Sequence, residues 1–462
     1  MKALIPYAIL GLIGTAGALG GALEGPSAAP TAPDPAPATS PRAAPASAFR
    51  VEVGLDHTTV TRGGGEAFAR VAIEGIADPT AKRTPMALTL VIDRSGSMGG
   101  SKMDDAKRAA LEALNALAPG DRVSVVSFDD GAVDHGSATV AERGGAELTG
   151  LRAAISELFA RSGTDMIAGL DVGGAAATRI YDQGRVNRLL LLSDGRPNVE
   201  PGLRERAGAL AARGVLTTTL GLGQDYNEDL MASLADQGRG HYYFVDRPDE
   251  LAGIFAAELS SLTSIVAKEA SVELVPARGT RIVEVVGFPS HTNANGAVTI
   301  AAGDIYGGRA TDILVRLALD GGSSDREVLA VRTSASAITN GAREQVASTI
   351  AASFSDDAVV VARSAVPGVM VKVEKWRAAQ AWVEANRLFD ANDVDAGNRL
   401  LSAAQVRLEA QSQALESDEL KREQGEMARY QKDNYEGGLG WRGVGTRAAK
   451  KKAWSLNKGS AY

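Results

Sequence analysis

Five oxygen-bearing side chains in three separate segments could meet at one edge of a parallel sheet. Asp93, Ser95 and Ser97 follow the apolar run MALTLVI. Thr164 lies in the loop RSGTD, and Asp194 closes the run LLLLSD. Carboxylate and hydroxyl oxygens without histidine or cysteine suit Mg²⁺, Mn²⁺ or Ca²⁺ and do not suit zinc or copper. The pattern therefore predicts one divalent-cation site, formed by Asp93, Ser95, Ser97, Thr164 and Asp194.

Strand and helix patterns alternate along residues 84–262, which contain all five side chains. This alternation predicts an α/β domain with right-handed crossovers and a doubly wound, mostly parallel, Rossmann-like sheet. The run LLLL is apolar throughout, as expected for a strand buried on both faces. Ligands bind such sheets at the carboxyl ends of the strands, where Asp93, Ser95, Ser97 and Asp194 fall, and the loop before a helix would bring Thr164 to the same edge.

The motif DRSGSM, followed later by GTD and then by SDG after an apolar strand, resembles the metal-ion-dependent adhesion site of von Willebrand factor A (VWA) domains. The resemblance implies direct coordination by Ser95, Ser97 and Thr164. It implies that Asp93 and Asp194 act mostly through bound water. It also implies one open coordination position, which takes a carboxylate from a protein partner.

Charged neighbours of the motif each have two interpretations. Where the VWA family usually has a small or acidic residue, this chain has Arg94. We expect a solvated side chain there, the alternatives being weaker cation binding or recruitment of an acidic partner. Asp165 either adds charge to the site or caps the following helix. Asp129 and Asp130, at the end of a strand, are expected to face water, and the alternative is that they support the metal ligands from outside the coordination sphere.

The rest of the chain is arranged around the α/β domain. Residues 49–83 contain alternating, period-two strands, and residues 265–337 contain short strands between turns. Because the early strands cannot form a stable sheet alone, we expect both parts to form one β-sandwich that carries the α/β domain as an insertion. A helical region over 340–435 and a basic, disordered tail over 436–462 would follow. This layout is similar to bacterial relatives of inter-alpha-trypsin inhibitor heavy chains and calcium-activated chloride channel regulators.

The N-terminus indicates export. Within residues 1–24, the stretch 3–23 is uncharged and largely apolar and includes a small-residue AGA sequence of the kind that signal peptidase cleaves. We expect a removed signal peptide, and a retained membrane anchor is the alternative because about 20 apolar residues can span a bilayer. Residues 25–48 are rich in Ala and Pro and predict an extended spacer. Both interpretations place the folded part in the periplasm, in the cell envelope or on the cell surface.

Composition and site together favour a binding module over an enzyme. The net charge of −7 argues against a nucleic-acid-binding protein, and the absence of cysteine excludes thiolate sites. A metal-dependent hydrolase would need a general base near the ion, and no histidine lies in the predicted loops. We expect a non-enzymatic, Mg²⁺-dependent module (with Mn²⁺ or Ca²⁺ possible) that binds an exposed Asp or Glu of a protein. A scaffold that binds through its helical region, with a purely structural metal, is the alternative.

Overall fold

The computed structural model describes residues 47–77, 83–194, 196–223, 227–245 and 248–436. The expected signal peptide lies outside these residues, as do nearly all of the Ala/Pro spacer and of the basic tail. Among the described residues, no helix is long and apolar enough to cross a membrane.

The first strands of the chain belong to a β-sandwich that later segments complete. They are β1 (Phe49–Leu55), β2 (Thr59–Thr61) and β3 (Gly64–Gly75).

The α/β domain that follows has a six-stranded sheet with helices on both faces. Its strands are β4 (Met86–Asp93), β5 (Arg122–Phe128), β6 (Ala132–Thr139), β7 (Val186–Ser193), β8 (Leu216–Leu222) and β9 (Arg239–Val245). Its helices are α1 (Ser101–Ala116), α2 (Thr149–Ser156), α3 (Met166–Ile180), α4 (Leu203–Ala212), α5 (Glu228–Gln237) and α6 (Leu251–Thr263). The strand order is β6-β5-β4-β7-β8-β9, with every pair parallel except β5 and β6. The predicted doubly wound fold is confirmed.

Burial explains why the two central strands could be recognised. Every residue of β4 and β7 is buried, because helices cover both faces of the sheet. The edge strand β6, in contrast, has no buried residue, so its sequence lacks the apolar run that marks the central strands and did not predict a strand there.

The second half of the sandwich follows α6 directly. Its strands are β10 (Ile265–Pro276), β11 (Thr280–Val285), β12 (Ser290–Thr292), β13 (Val298–Tyr306), β14 (Ala310–Asp320), β15 (Arg326–Ala337) and β16 (Arg343–Ser355). One sheet has the order β1-β3-β14-β11, and the other has the order β12-β13-β10-β15-β16-β2. The whole of β14 pairs with β3, so the early and late strands share one core, as predicted.

The α/β domain leaves and rejoins the sandwich at one narrow place. The Gly308 N–H donates to the carbonyl oxygen of Gly75 at 2.8 Å, where β3 ends. The Gly307 N–H donates to the carbonyl oxygen of Ser264 at 2.7 Å, just before β10 begins. We call this pair of crossings the neck. A Cβ atom on Gly75 would lie 2.4 Å from the Tyr306 carbonyl oxygen, so the close approach requires glycine.

The helical region starts later than expected. The prediction of helix from residue 340 is wrong, because β16 occupies Arg343–Ser355 and alternate residues of it, such as Ile350 and Phe354, enter the sandwich core. Up to residue 436, where the described part of the chain ends, four helices follow, and three of them are long. They are α7 (Ala358–Arg363), α8 (Pro367–Asp390), α9 (Val394–Ala414) and α10 (Asp418–Glu436). The α8 helix packs on the sandwich, where the Trp376 ring lies 5.2 Å from the ring of Phe68.

Candidate metal centre

Asp93 is the last residue of β4, and its carboxylate is held by its neighbours. The Ser95 N–H donates to Asp93 Oδ1 at 2.7 Å, and the Ser193 hydroxyl donates to Asp93 Oδ2. Ser193 is close because β7 runs parallel to β4, with Ile92 opposite Leu192. Burial raises the pKa of Asp93 to about 6, although the serine hydrogen bonds oppose that effect.

A chain of hydrogen bonds connects the serines of the motif to the second aspartate. The hydroxyl oxygens of Ser95 and Ser97 lie 3.1 Å apart, and the Ser97 hydroxyl donates to Asp194 Oδ1 at 2.7 Å. The short 3-10 turn Gly96–Met98 presents both serines, and the fully buried Met98 side chain anchors it. Four of the five predicted residues therefore form one connected cluster at the carboxyl edge of the sheet.

Thr164 reaches the same edge through main-chain hydrogen bonds. The Arg161 N–H donates to the Arg94 carbonyl oxygen at 2.7 Å, and the Asn198 N–H donates to the Thr164 carbonyl oxygen at 3.0 Å. These bonds hold the threonine loop between the loops that follow β4 and β7. A Cβ atom on Gly96 would lie 3.0 Å from the Arg161 carbonyl oxygen, so glycine allows this close packing.

Two of the charged neighbours differ from expectation. Arg94 is 9% exposed and forms an ion pair with Asp129 at 3.0 Å, so the expectation of a solvated Arg94 is wrong. Asp129 is itself buried and also lies 3.5 Å from the Arg161 guanidinium, so it does not face water as expected. Asp130 is exposed, as predicted. Asp165 caps α3, because its side chain accepts a hydrogen bond from the Ala168 N–H at 3.0 Å.

Sequence reasoning overlooked Lys102, in the first turn of α1. Its ammonium group forms an ion pair with Asp194 Oδ2 and lies 3.3 Å from the Ser97 carbonyl oxygen. No spacing rule in the sequence linked a lysine shortly after the motif to the site. Its involvement depends on how the side chain turns back over the helix N-terminus.

The residues present fit a hard divalent cation. The side chains of Asp93 and Asp194 are buried, and the charge of Asp194 contributes to the raised pKa of Asp93, so positive charge nearby would stabilise both carboxylates. The rest of the donor set consists of hydroxyl oxygens, which suit Mg²⁺ and related ions. No three His, Asp or Glu side chains within the described residues are grouped to hold a metal, so a cation here would depend on two carboxylates with serine and threonine.

Residues 87–257 match the family model of the von Willebrand factor type A domain. These residues form a VWA domain. Its sequence is 32% identical over 227 residues to the uncharacterized protein sll0103 of Synechocystis sp., covering 47% of this chain and 51% of that protein. It is 29% identical over 250 residues to the uncharacterized protein YfbK of Escherichia coli, covering 51% of this chain and 42% of YfbK. The match spans about half the length of these curated relatives.

Two solved structures share the fold over most of the chain. A von Willebrand factor type A protein from Catenulispora acidiphila aligns with a TM-score of 0.67 at 20% identity, covering 79% of this chain and 87% of that one. The ArnB paralog VWA2 from Sulfolobus acidocaldarius aligns with a TM-score of 0.58 at 15% identity, covering 89% and 99%. This coverage extends well beyond the VWA domain, so its flanking parts also belong to a shared architecture.

Proposed function

We propose that this VWA-domain protein is a metal-dependent binding module outside the cytoplasm, which uses a Mg²⁺ ion to hold an exposed Asp or Glu of a protein partner. VWA domains are commonly metal-dependent protein-interaction modules. The observation that carries the proposal is the hydrogen-bonded cluster of Asp93, Ser95, Ser97 and Asp194 at the sheet edge. The location rests on the export pattern of residues 1–24.

The chemistry of the donor set favours binding of an outside acid. Hydroxyl oxygens are neutral, so they leave most of the charge on a bound divalent ion. Such an ion attracts a further anionic ligand, and a carboxylate is the anionic ligand that a protein surface offers. A non-enzymatic role is favoured because Asp93 and Asp194 already accept hydrogen bonds from serines, and neither is placed as a free general base.

The test is partner capture from a membrane extract, with the immobilised chain in Mg²⁺ or in EDTA. We expect a partner that is retained in Mg²⁺, released by EDTA and not captured by Asp93→Ala. Asp171→Ala is the matched control, because Asp171 is an exposed aspartate of α3 that pairs with Arg206. A partner that binds equally well in EDTA and to Asp93→Ala would overturn the proposal and favour a scaffold.

A further inference from the structure

The ammonium group of Lys102 supplies a positive charge at the predicted metal site. This group pairs with Asp194 and lies against the Ser97 carbonyl oxygen. Ser97 and Asp194 are also two of the residues predicted to bind the metal. The lysine and a divalent ion would therefore compete for oxygen atoms of the same cluster.

The Lys102 side chain borders solvent on one side and the backbone at Gly223 on the other. The side chain is 26% exposed, so one side of the stem borders solvent. On the other side it lies over Gly223, at the end of β8, where a Cβ atom would be 3.4 Å from Lys102 Cε and 3.5 Å from Nζ. Gly223 has a φ of +79°, which favours glycine and keeps this space free of a side chain.

We propose that Lys102 is a tethered counter-cation, which stabilises the metal-free site and must leave Asp194 when a divalent ion binds. The inference rests on the proposed function, since it takes the cluster to be a cation site. A buried carboxylate without positive charge nearby is strongly unfavourable, and the Asp194 side chain is fully buried. The lysine stem is flexible and partly exposed, so its ammonium group can move into water when the ion arrives.

Two effects of opposite sign follow. Metal binding is weakened, because the ion must displace an existing ion pair and remain near a positive charge. The metal-free domain is stabilised, because the two carboxylates keep a counter-charge. A structural lysine without this role would change stability without changing metal affinity.

The experiment measures Mn²⁺ binding by calorimetry and thermal unfolding in EDTA, using the full chain. Lys102→Met keeps the length of the stem and removes the charge. We expect Mn²⁺ affinity at least about fivefold tighter than wild type, because the variant removes a repulsion between like charges a few ångströms apart, which is worth about 1 kcal/mol even in water. In EDTA the midpoint of unfolding should fall by a few degrees. Lys102→Gln gives a second uncharged variant, should the methionine variant fail to fold.

Lys107→Met is the matched control, because Lys107 lies on the same helix and the change removes the same charge elsewhere. It should leave both measurements close to wild type. Equal Mn²⁺ affinity in wild type and in both Lys102 variants would overturn the inference while leaving the metal site in place. Absence of Mn²⁺ binding in all of these proteins would overturn the proposed function and the inference with it.

Discussion

The Arg188 guanidinium, at the start of β7, forms an ion pair with Asp304 of β13 at 3.1 Å, across the contact between the VWA domain and the sandwich. Both side chains are buried. Nearby, His241 Nδ1 lies 2.9 Å from the Glu258 carboxylate of α6. Burial alone would raise the pKa of Glu258, but His241 and Arg188 outweigh it and hold that pKa well below its usual range. Buried charges, and not apolar packing alone, therefore join the two parts.

We predict that Asp304→Asn destabilises the protein by about 3 kcal/mol, because it removes the carboxylate charge that forms an ion pair with a buried guanidinium. Denaturant unfolding measures the change. The exposed pair between Glu273 and Arg332, at 2.9 Å, supplies the control, and Glu273→Gln should cost less than about 1 kcal/mol. Similar losses of stability in the two variants would show that the buried ion pair stabilises the protein no more than the exposed pair does.

The raised pKa of Asp93 predicts a pH dependence for the metal-free protein. The folded state binds the proton more tightly than the unfolded chain, so stability is lost as pH rises from the ordinary value of 3.8 to about 6. The Asp93→Asn variant lacks the titrating carboxyl group, so it should not lose stability over this pH range. In EDTA the variant should match wild type below about pH 4 and be more stable above about pH 6, by on the order of 3 kcal/mol. A stability difference that does not vary with pH would contradict the assignment.

The two classes of predicted ligand should differ in their effect on Mn²⁺ affinity. Asp93→Ala should abolish measurable binding, because it removes a charge from the cluster. Thr164→Ala should weaken binding about tenfold, or about 1.4 kcal/mol, because water can replace a neutral hydroxyl. Calorimetry distinguishes the two, and Asp171→Ala should bind as wild type does. A larger loss for Thr164→Ala than for Asp93→Ala would invert the proposed roles.

Gly96→Ala tests whether close packing of the loops positions the site. The new Cβ would lie 3.0 Å from the Arg161 carbonyl oxygen and push the threonine loop outward by a few tenths of an ångström. We expect weaker Mn²⁺ binding together with a stability loss of about 1 kcal/mol. A Cβ on Gly63 would meet nothing within 4 Å, so Gly63→Ala should change neither measurement. Unchanged Mn²⁺ affinity in Gly96→Ala would show that the loop tolerates the shift.

The sequence was most informative where one physical requirement dominated. β4 and β7 are buried on both faces and carry long apolar runs, and the motif residues at their ends could be placed from those runs. β16 was missed because many of its residues are Ala or Ser, which hide the alternation that Ile350 and Phe354 reveal in the fold. The pairing of Arg94 with Asp129 joins residues from the ends of two neighbouring strands. The position of Lys102 depends on side-chain conformation, which no spacing in the sequence specifies.

Because of the neck, the VWA domain is inserted into the sandwich in a way that would allow it to be exchanged as one unit. The two crossings of the neck are held by the consecutive residues Gly307 and Gly308, so the domain begins and ends at almost the same point of the sandwich. Evolution could replace or lengthen everything between these crossings without reordering the strands on either side. The same geometry has a mechanical consequence. If the domain captures a partner as proposed, tension on that partner would enter the sandwich beside β13, where the buried Arg188–Asp304 pair would share the load with the peptide backbone.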